Sequence, residues 1–351
     1  MMDQPRGTYE YDVQRIVCRL TERPSADVGV TASMEDIGLD SVDFMVLLAE
    51  LGRATGAPLL GLGLDPRSTS CASLAERVVA ATGAMVPPGL LVFSTRIEDN
   101  ASIIWVVLPA GNGEVGFARR SLLDWDGVLG LRGYGLGPNE LVPDSGAALG
   151  QVYWKAVEDL VLERPDRRVV FVGFSLGAWI ARLVAEAAHG CVDSGSIGLV
   201  LMDPLPPSAY LRGSEAEFLD QRRRVWERYT VGRGASRSWP EVSRLAIKRG
   251  ALPGYLGGDD LRRIELFQFR TARAAMTEAP PLPAHSLLIS SRGSWRGHWG
   301  DPTYEGSKRL VFPGGHAELT WGFPWRELRS YGHGWNWRPL AAAFERGRTH
   351  D

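Results

Sequence analysis

The chain has 351 residues, of which 44% are hydrophobic and 23% are charged, and its formal net charge is −2. These values are typical of a soluble globular protein with one large domain, or a medium domain plus a small one. They exclude the basic field expected of a nucleic-acid-binding protein, and no apolar run is long enough to span a membrane.

The cysteines and the N-terminus indicate the compartment. Cys18, Cys71 and Cys191 are far apart in the sequence, so they show neither a metal-binding spacing nor a disulfide framework. The first residues lack the apolar core of a signal peptide. We therefore expect a cytoplasmic protein without a metal site.

Apolar residues at helical spacing mark the N-terminal part of the chain. The pattern recurs at Val13, Ile16, Val17 and Leu20, again at Phe44, Leu47, Leu48 and Leu51, and over residues 71–82. Residues 8–82 are thus predicted to form a small all-α domain. Residues 83–89, with two prolines, are predicted to be a linker.

Strand and helix patterns alternate after residue 90. Short apolar runs typical of buried parallel strands occupy residues 103–108, 168–174, 195–203, 286–290 and 308–312. Helical patterns lie between them, notably over 145–162 and 177–188. Residues 90–351 are therefore predicted to form an α/β domain with an open sheet and helices on both faces. Charged, helix-prone residues at about 208–280 indicate an insertion.

A candidate nucleophile follows the second apolar run. Ser175 lies in Gly173-Phe174-Ser175-Leu176-Gly177, with a predicted strand before it and a predicted helix after it. This is the context of a nucleophile elbow, in which a sharp turn exposes the serine and glycines let strand and helix pass closely. The alternative is a chance match in a chain with 41 glycines.

A serine nucleophile needs a base, and His316 is the best candidate. His316 lies in a Gly-Gly loop directly after the last predicted strand, and the chain order Ser, acid, His is that of a nucleophile-elbow enzyme. His189 ends a helix and His285 begins a strand at the wrong end. His298 and His333, in Trp/Gly-rich segments interpreted as loops, remain as rivals.

Asp203 is the candidate for the acid that orients the base. It ends the strand over 195–203, and a carboxylate at the carboxyl end of a parallel strand shares an edge with the elbow. A plain turn residue before Pro204 is the alternative. The next strand offers no acid at its end, and Asp301 lies too far downstream.

Two backbone N–H groups are expected to form an oxyanion hole. One is the N–H of Leu176. The other comes from the loop after residue 108, where Ala110 is the best donor and Gly111 the next. Pro109 has no N–H to donate.

Residues 90–350 resemble the type I thioesterases that release products from polyketide and nonribosomal peptide synthetases. The similarity lies in "VLPAGNG", "LRGYGLGPNE", "FVGFSLGAWIARLVAEA", "LVLMDPLPP" and "VFPGGHAELT". It implies an α/β-hydrolase fold with a helical lid, and an acid placed at Asp203. Phe174 departs from the family, in which histidine or tyrosine is common at this position.

Ser41 admits two interpretations from its own surroundings. It precedes an apolar helix, so it could be the N-cap, although Phe44 offers no capping box. However, "DIGLDSVDFMVLLAEL" resembles the attachment motif of acyl and peptidyl carrier proteins, which are four-helix domains. The resemblance implies 4′-phosphopantetheine on Ser41 and a role for Asp40 in binding the transferase's magnesium.

The two resemblances together imply a carrier–thioesterase didomain. It would release an acyl or peptidyl chain from the carrier through an acyl-serine, by hydrolysis or by cyclisation. Its partners would be upstream synthase and carrier proteins and a phosphopantetheinyl transferase, and we expect a discrete protein or a fragment of a larger synthase. The alternatives are an acyltransferase to another carrier, amine or alcohol, and a non-catalytic docking module.

Overall fold

The structure is a computed structural model. It describes residues 13–14, 16–18, 21, 23, 27–55, 64–82, 90–95, 101–122, 125–136, 140–163, 166–204, 213–230, 237–248, 258–277, 282–292, 308–316 and 318–347. The chain divides into two compact units. One comprises Met1–Val92, Tyr134–Leu141 and Arg212–Phe269; the other comprises Phe93–Gly133, Val142–Leu211 and Arg270–Asp351.

The N-terminal residues are helical and have a core of their own. Helix α1 (Ser41–Thr55) and helix α2 (Cys71–Thr82) follow a helical stretch that includes residues 16–18. The predicted apolar face of α1 is buried together with residues of the other segments, namely Val13, Val17, Cys18, Val28, Met34, Ile37, Leu39, Phe44, Leu47, Leu48, Leu51, Cys71, Leu74 and Ala75. The helical character predicted for this domain is thus confirmed, while its boundaries at residues 8 and 82 stay predictions. Its count of four helices stays a prediction, and the predicted linker over 83–89 lies outside the described residues.

A seven-stranded sheet forms the core of the second unit. Its strands are β1 (Leu91–Ser94), β2 (Ile103–Leu108), β3 (Val128–Leu131), β4 (Arg168–Phe174), β5 (Ile197–Met202), β6 (His285–Ser291) and β7 (Lys308–Phe312). The order is β1-β3-β2-β4-β5-β6-β7, and the pairs β2–β3, β2–β4, β4–β5, β5–β6 and β6–β7 are parallel. The predicted parallel strands are confirmed. The four-residue strands β1 and β3 are additions to them, because each is too short to show a pattern.

The helices follow the strands in the alternation that the sequence predicts. They are α3 (Gly116–Leu122), α4 (Gly146–Lys155), α5 (Glu158–Leu162), α6 (Leu176–Ala188), α7 (Glu215–Thr230), α8 (Trp239–Lys248), α9 (Gly258–Thr277), α10 (Leu319–Gly322), α11 (Trp325–Gly334) and α12 (Arg338–Gly347). The stretch 145–162 is divided at Ala156 into two helices. Together with the parallel sheet, this is an α/β-hydrolase fold, preceded by a helical domain. None of the helices in the described part of the chain is both long and apolar enough to cross a membrane.

The predicted insertion is helical where it is described, and a buried carboxylate ties two of its helices together. Glu265 of α9 is 1% exposed, and Arg222 of α7 donates to both of its carboxylate oxygens, from Nε at 2.7 Å and from Nη2 at 3.0 Å. Trp226 Nε1 also donates to it, at 2.8 Å. Burying a charge is costly unless it is paired in this way.

Candidate active site

The four loops that carry the predicted site residues, together with the end of β6, lie at one edge of the sheet. In the parallel register Leu108 pairs with Gly173, Gly173 with Leu201, Met202 with Ile289, and Ser291 with Phe312. The carboxyl ends of β2, β4, β5, β6 and β7 therefore lie side by side. In open α/β sheets this edge is where ligands bind.

Ser175 lies on a sharp turn between β4 and α6. Its backbone has φ 57° and ψ −119°, which is a conformation that residues with a side chain rarely adopt. The N–H of Ser175 donates to the carbonyl of Met202 at 2.8 Å, so the neighbouring strand holds the turn in place. The serine is 6% exposed. The strand–turn–helix context that the motif requires is present.

The two glycines of the motif are needed for close packing at this turn. A Cβ added at Gly173 would overlap the backbone of Gly177, and a Cβ added at Gly177 would overlap the carbonyl of Pro109. The loop after β2 therefore lies directly against the start of α6. Only glycine permits both approaches.

Asp203 follows β5 and is buried, with 2% exposure and φ 42°. Its N–H donates to the carbonyl of Ile289 at 2.6 Å. The backbone N–H of Ser291 donates to Asp203 Oδ1 at 2.9 Å, and the Ser291 hydroxyl donates to Oδ2 at 2.7 Å. Both oxygens of the carboxylate are thus hydrogen-bonded within the protein.

His316 meets Asp203 at the end of the loop that follows β7. Its Nδ1 lies 2.6 Å from Asp203 Oδ2, although the two residues are 113 positions apart. An ionised carboxylate can only accept hydrogen bonds, so this pairing assigns the ring proton to Nδ1 and leaves Nε2 able to accept a proton. The His316 side chain is 38% exposed, whereas that of Asp203 is 2% exposed.

A hydrogen bond and a steric limit fix the loop that carries His316, and an aromatic contact fixes its ring. The N–H of Gly315 donates to Glu318 Oε2 at 2.6 Å, and a Cβ at Gly314 would lie 2.6 Å from the Phe312 ring. Phe174, the residue before Ser175, stacks on the imidazole with ring centroids 4.6 Å apart. The elbow and the histidine loop are therefore in contact.

The other described histidines lie elsewhere. His189 caps the C-terminus of α6, and His285 begins β6 at the opposite edge of the sheet. The prediction that His333 lies in a loop is wrong, because it lies in α11, which ends only at Gly334 before the left-handed Trp335. His298 and Asp301 lie outside the described residues.

The two N–H groups predicted to form the oxyanion hole differ in their hydrogen bonding. Leu176 is the first residue of α6, and the first N–H groups of a helix have no acceptor within the helix. By contrast, the N–H of Ala110 donates to the carbonyl of Glu114 at 2.9 Å, and the N–H of Gly113 returns to the carbonyl of Ala110 at 2.8 Å. Ala110 is thus engaged in a closed turn and does not offer its N–H as predicted.

Asp40, and not Ser41, is the N-cap of α1. Asp40 Oδ1 accepts hydrogen bonds from the N–H groups of Val42 and Asp43, both at 2.8 Å. The interpretation of Ser41 as the helix cap is therefore wrong. Asp40, Val42 and Asp43, at the start of α1, are exposed.

Comparisons with known proteins identify the N-terminal region. The family model described as the phosphopantetheine attachment site matches residues 12–65. This region is thus a carrier domain, a type of domain that bears covalently attached 4′-phosphopantetheine. A comparison with curated proteins gave no match.

One solved structure shows a similar fold over nearly the whole chain. A holo four-domain nonribosomal peptide synthetase, AB3403, bound to AMP and glycine, is 16% identical with a TM-score of 0.54, over 92% of this chain and 26% of the synthetase. The chain therefore spans about a quarter of that synthetase's length. The RedJ thioesterase of the prodiginine pathway in Streptomyces coelicolor is 21% identical over 67% of this chain and 91% of its own, with a TM-score of 0.46. At these identities the likeness concerns the fold alone.

Proposed function

We propose that this chain is a carrier–thioesterase that releases an acyl or peptidyl chain from the carrier through an acyl-serine, by hydrolysis or cyclisation. The observation that supports this most is the pairing of His316 with Asp203 beside an elbow serine, in a chain that also contains a carrier domain. The proposed catalytic residues are Ser175, His316 and Asp203. The attachment residue is Ser41.

The first half of the reaction forms the acyl-serine. Nε2 of His316 takes the hydroxyl proton of Ser175 as Oγ attacks the thioester carbonyl carbon, and Asp203 stabilises the imidazolium. The N–H of Leu176, together with the dipole of the 13-residue helix α6, stabilises the oxyanion. One such donor contributes roughly 3 kcal/mol. The C–S bond then breaks, and the departing thiolate takes the proton from Nε2.

The second half frees the acyl group. Nε2 takes a proton from water, or from a hydroxyl or amine within the acyl chain, and that oxygen or nitrogen attacks the carbonyl carbon. The bond from the carbon to Ser175 Oγ breaks, and Oγ regains a proton from the imidazolium. Water yields a free acid, and an internal nucleophile yields a ring.

In this proposal the carrier domain bears the cofactor that delivers the acyl group. Ser41 would hold 4′-phosphopantetheine, which supplies a terminal thiol on a flexible arm for carrying the acyl group as a thioester. Because Asp40 caps α1, the helix does not depend on the serine hydroxyl as a cap. The proposed partners are upstream synthase and carrier proteins and a phosphopantetheinyl transferase. The proposed location is the cytoplasm, where cysteine thiols such as those of Cys18, Cys71 and Cys191 stay reduced.

The test follows the acyl group by intact-protein mass spectrometry. The full chain is loaded with butyryl-coenzyme A and a phosphopantetheinyl transferase, and its mass is followed with time. We expect loading to be lost in Ser41→Ala, and the loaded butyryl group to disappear from the wild type but to persist in Ser175→Ala. Equal loss from the wild type and Ser175→Ala would indicate a docking module, and butyryl on an added second carrier would indicate an acyltransferase.

A further inference from the structure

Ser291 holds the carboxylate of Asp203 by two hydrogen bonds, one from its backbone and one from its side chain. Its backbone N–H reaches Oδ1 at 2.9 Å, and its hydroxyl reaches Oδ2 at 2.7 Å. Ser291 ends β6, the strand next to the one that Asp203 follows, and it is 1% exposed. With both oxygens engaged from one residue, the carboxylate plane cannot rotate freely about its χ2 bond.

The oxygen that accepts from the Ser291 hydroxyl is also the oxygen that faces His316. Asp203 Oδ2 lies 2.7 Å from Ser291 Oγ and 2.6 Å from His316 Nδ1. A change in the position of Oδ2 therefore changes the direction of the Nδ1–H hydrogen bond. This bond sets the imidazole tautomer and the direction in which Nε2 points.

We infer that Ser291 is a positioning residue that acts on His316 through Asp203. The inference rests on the proposed function, since it assigns a role within the same catalytic group. Ser291 fixes Oδ2, Oδ2 fixes the imidazole, and in the proposed reaction the imidazole so held takes the hydroxyl proton of Ser175. The hydroxyl of Ser291 takes no proton and touches no substrate.

Loss of the hydroxyl leaves the backbone hydrogen bond and removes the one to Oδ2. Hydrogen bonds to buried charged groups are worth enough that the rate of serine acylation should fall about 10- to 100-fold in Ser291→Ala. Since the change acts on the reacting groups and not on substrate binding, we expect kcat to fall while KM stays constant. Ser291→Thr retains a hydroxyl and should recover most of the rate.

The experiment measures the rate at which a fluorophosphonate probe labels Ser175 in the full chain. The probe's phosphorus bonds to Oγ and fluoride leaves, so labelling reports the activated serine without any cargo. Ser286→Ala is the matched control, because Ser286 lies on the same strand, is 4% exposed and donates its hydroxyl to the carbonyl of Pro283 at 2.7 Å. We expect Ser286→Ala to label at the wild-type rate.

A double-mutant cycle tests whether Ser291 acts through Asp203. In an Asp203→Ala background, Ser291→Ala should change labelling by less than about twofold, because the route through Asp203 Oδ2 is gone. An equal fold-change in both backgrounds, or wild-type labelling of Ser291→Ala, would overturn the inference. Absence of labelling in the wild type, or its persistence in Ser175→Ala, would instead overturn the proposed function.

A second variant keeps the test decisive if Ser291→Ala is too unstable. Ser291→Cys preserves the size of the side chain and replaces the hydroxyl by a weaker donor. Measured below its melting midpoint, it should label at a rate between those of Ser291→Thr and Ser291→Ala. A wild-type rate for Ser291→Cys would also contradict the inference.

Discussion

The ring of Phe174 stacks on the imidazole of His316, with centroids 4.6 Å apart and an interplanar angle of 28°. This contact joins the residue before the candidate nucleophile to its candidate base. It also gives a physical account of the departure at position 174, since an aromatic ring there supports the face of the imidazole. Asp203 holds the same ring by its edge, at Nδ1.

We therefore expect Phe174→Leu to slow acylation of Ser175. An aromatic pair contributes about 0.5–1.5 kcal/mol beyond burial, so the rate of fluorophosphonate labelling should fall about 2- to 10-fold. Phe174→Tyr should retain the rate. Phe117→Leu is the control, because Phe117 contacts Phe174 at 5.4 Å between centroids and has no described ring contact with His316. A loss as large in Phe117→Leu would show that packing alone is responsible.

The glycines of the elbow make a second prediction. Because a Cβ at Gly177 would overlap the carbonyl of Pro109, Gly177→Ala should displace either α6 or the loop after β2. We expect labelling of Ser175 to fall below about one hundredth of the wild-type rate, or the chain to lose its cooperative unfolding. Gly334→Ala is the matched control, since nothing lies within 4 Å of its added Cβ. Normal labelling in Gly177→Ala would mean that the elbow packs differently.

The success of the strand predictions has a simple physical basis. Strands in the middle of a parallel sheet are buried on both faces, so β2, β5 and all of β4 after Arg168 consist of unbroken buried runs that a sequence displays directly. Strands β1 and β3 have four residues each, too few to show a period. The glycine motif predicted the turn at Ser175 because steric overlap leaves few alternatives.

The details of the site depend on contacts that no local pattern encodes. Ser291 ends an apolar run in which serine carries no special signal, and only its place beside the end of β5 brings it to Asp203. The hydrogen bond from Ala110 to Glu114 is set by the closure of one particular loop. Asp40 could have been predicted as the cap, since aspartate is as good an N-cap as serine and stands one residue earlier.

Asp40 has two expected roles, as the N-cap of α1 and in binding the transferase's magnesium, and two substitutions can separate them. Asp40→Ala removes the acceptor for the N–H groups of Val42 and Asp43, and should destabilise the helix by about 1 kcal/mol. The measurement is amide hydrogen exchange at these two residues in the full chain. Asp40→Asn keeps the acceptor and removes the charge, so exchange should stay slow.

The same pair of variants tests the magnesium role that the resemblance implies for Asp40. If the carboxylate assists the transferase through magnesium, Asp40→Asn should slow phosphopantetheine attachment at Ser41 while leaving exchange unchanged. Equal attachment rates in the wild type and Asp40→Asn would limit Asp40 to its role as a cap.

A histidine at the edge of the sheet opposite the site should make the free energy of unfolding depend on pH. His285 begins β6, and its ring lies on that of Trp335 with centroids 4.3 Å apart and an interplanar angle of 6°. Burial, and secondarily the positive charge of Arg168, lowers the pKa of His285 below its ordinary value of 6.5. The unfolded chain therefore binds the proton more readily than the folded one.

Because the unfolded chain binds this proton more readily, the folded chain should lose stability in acid. The free energy of unfolding should decrease as the pH falls from above 6.5 toward the lowered pKa of folded His285, and should recover when the pH is raised. His285→Phe keeps a ring against Trp335 and removes the titrating group, so its urea midpoint should change less between pH 7.5 and pH 5.5 (two values chosen on either side of about 6.5). The pKa of His333 is also lowered, by burial first and then by Arg329 and Arg168, so the dependence should flatten without vanishing. An identical pH dependence in the wild type and His285→Phe would show that the His285 ring titrates alike in the folded and unfolded chains.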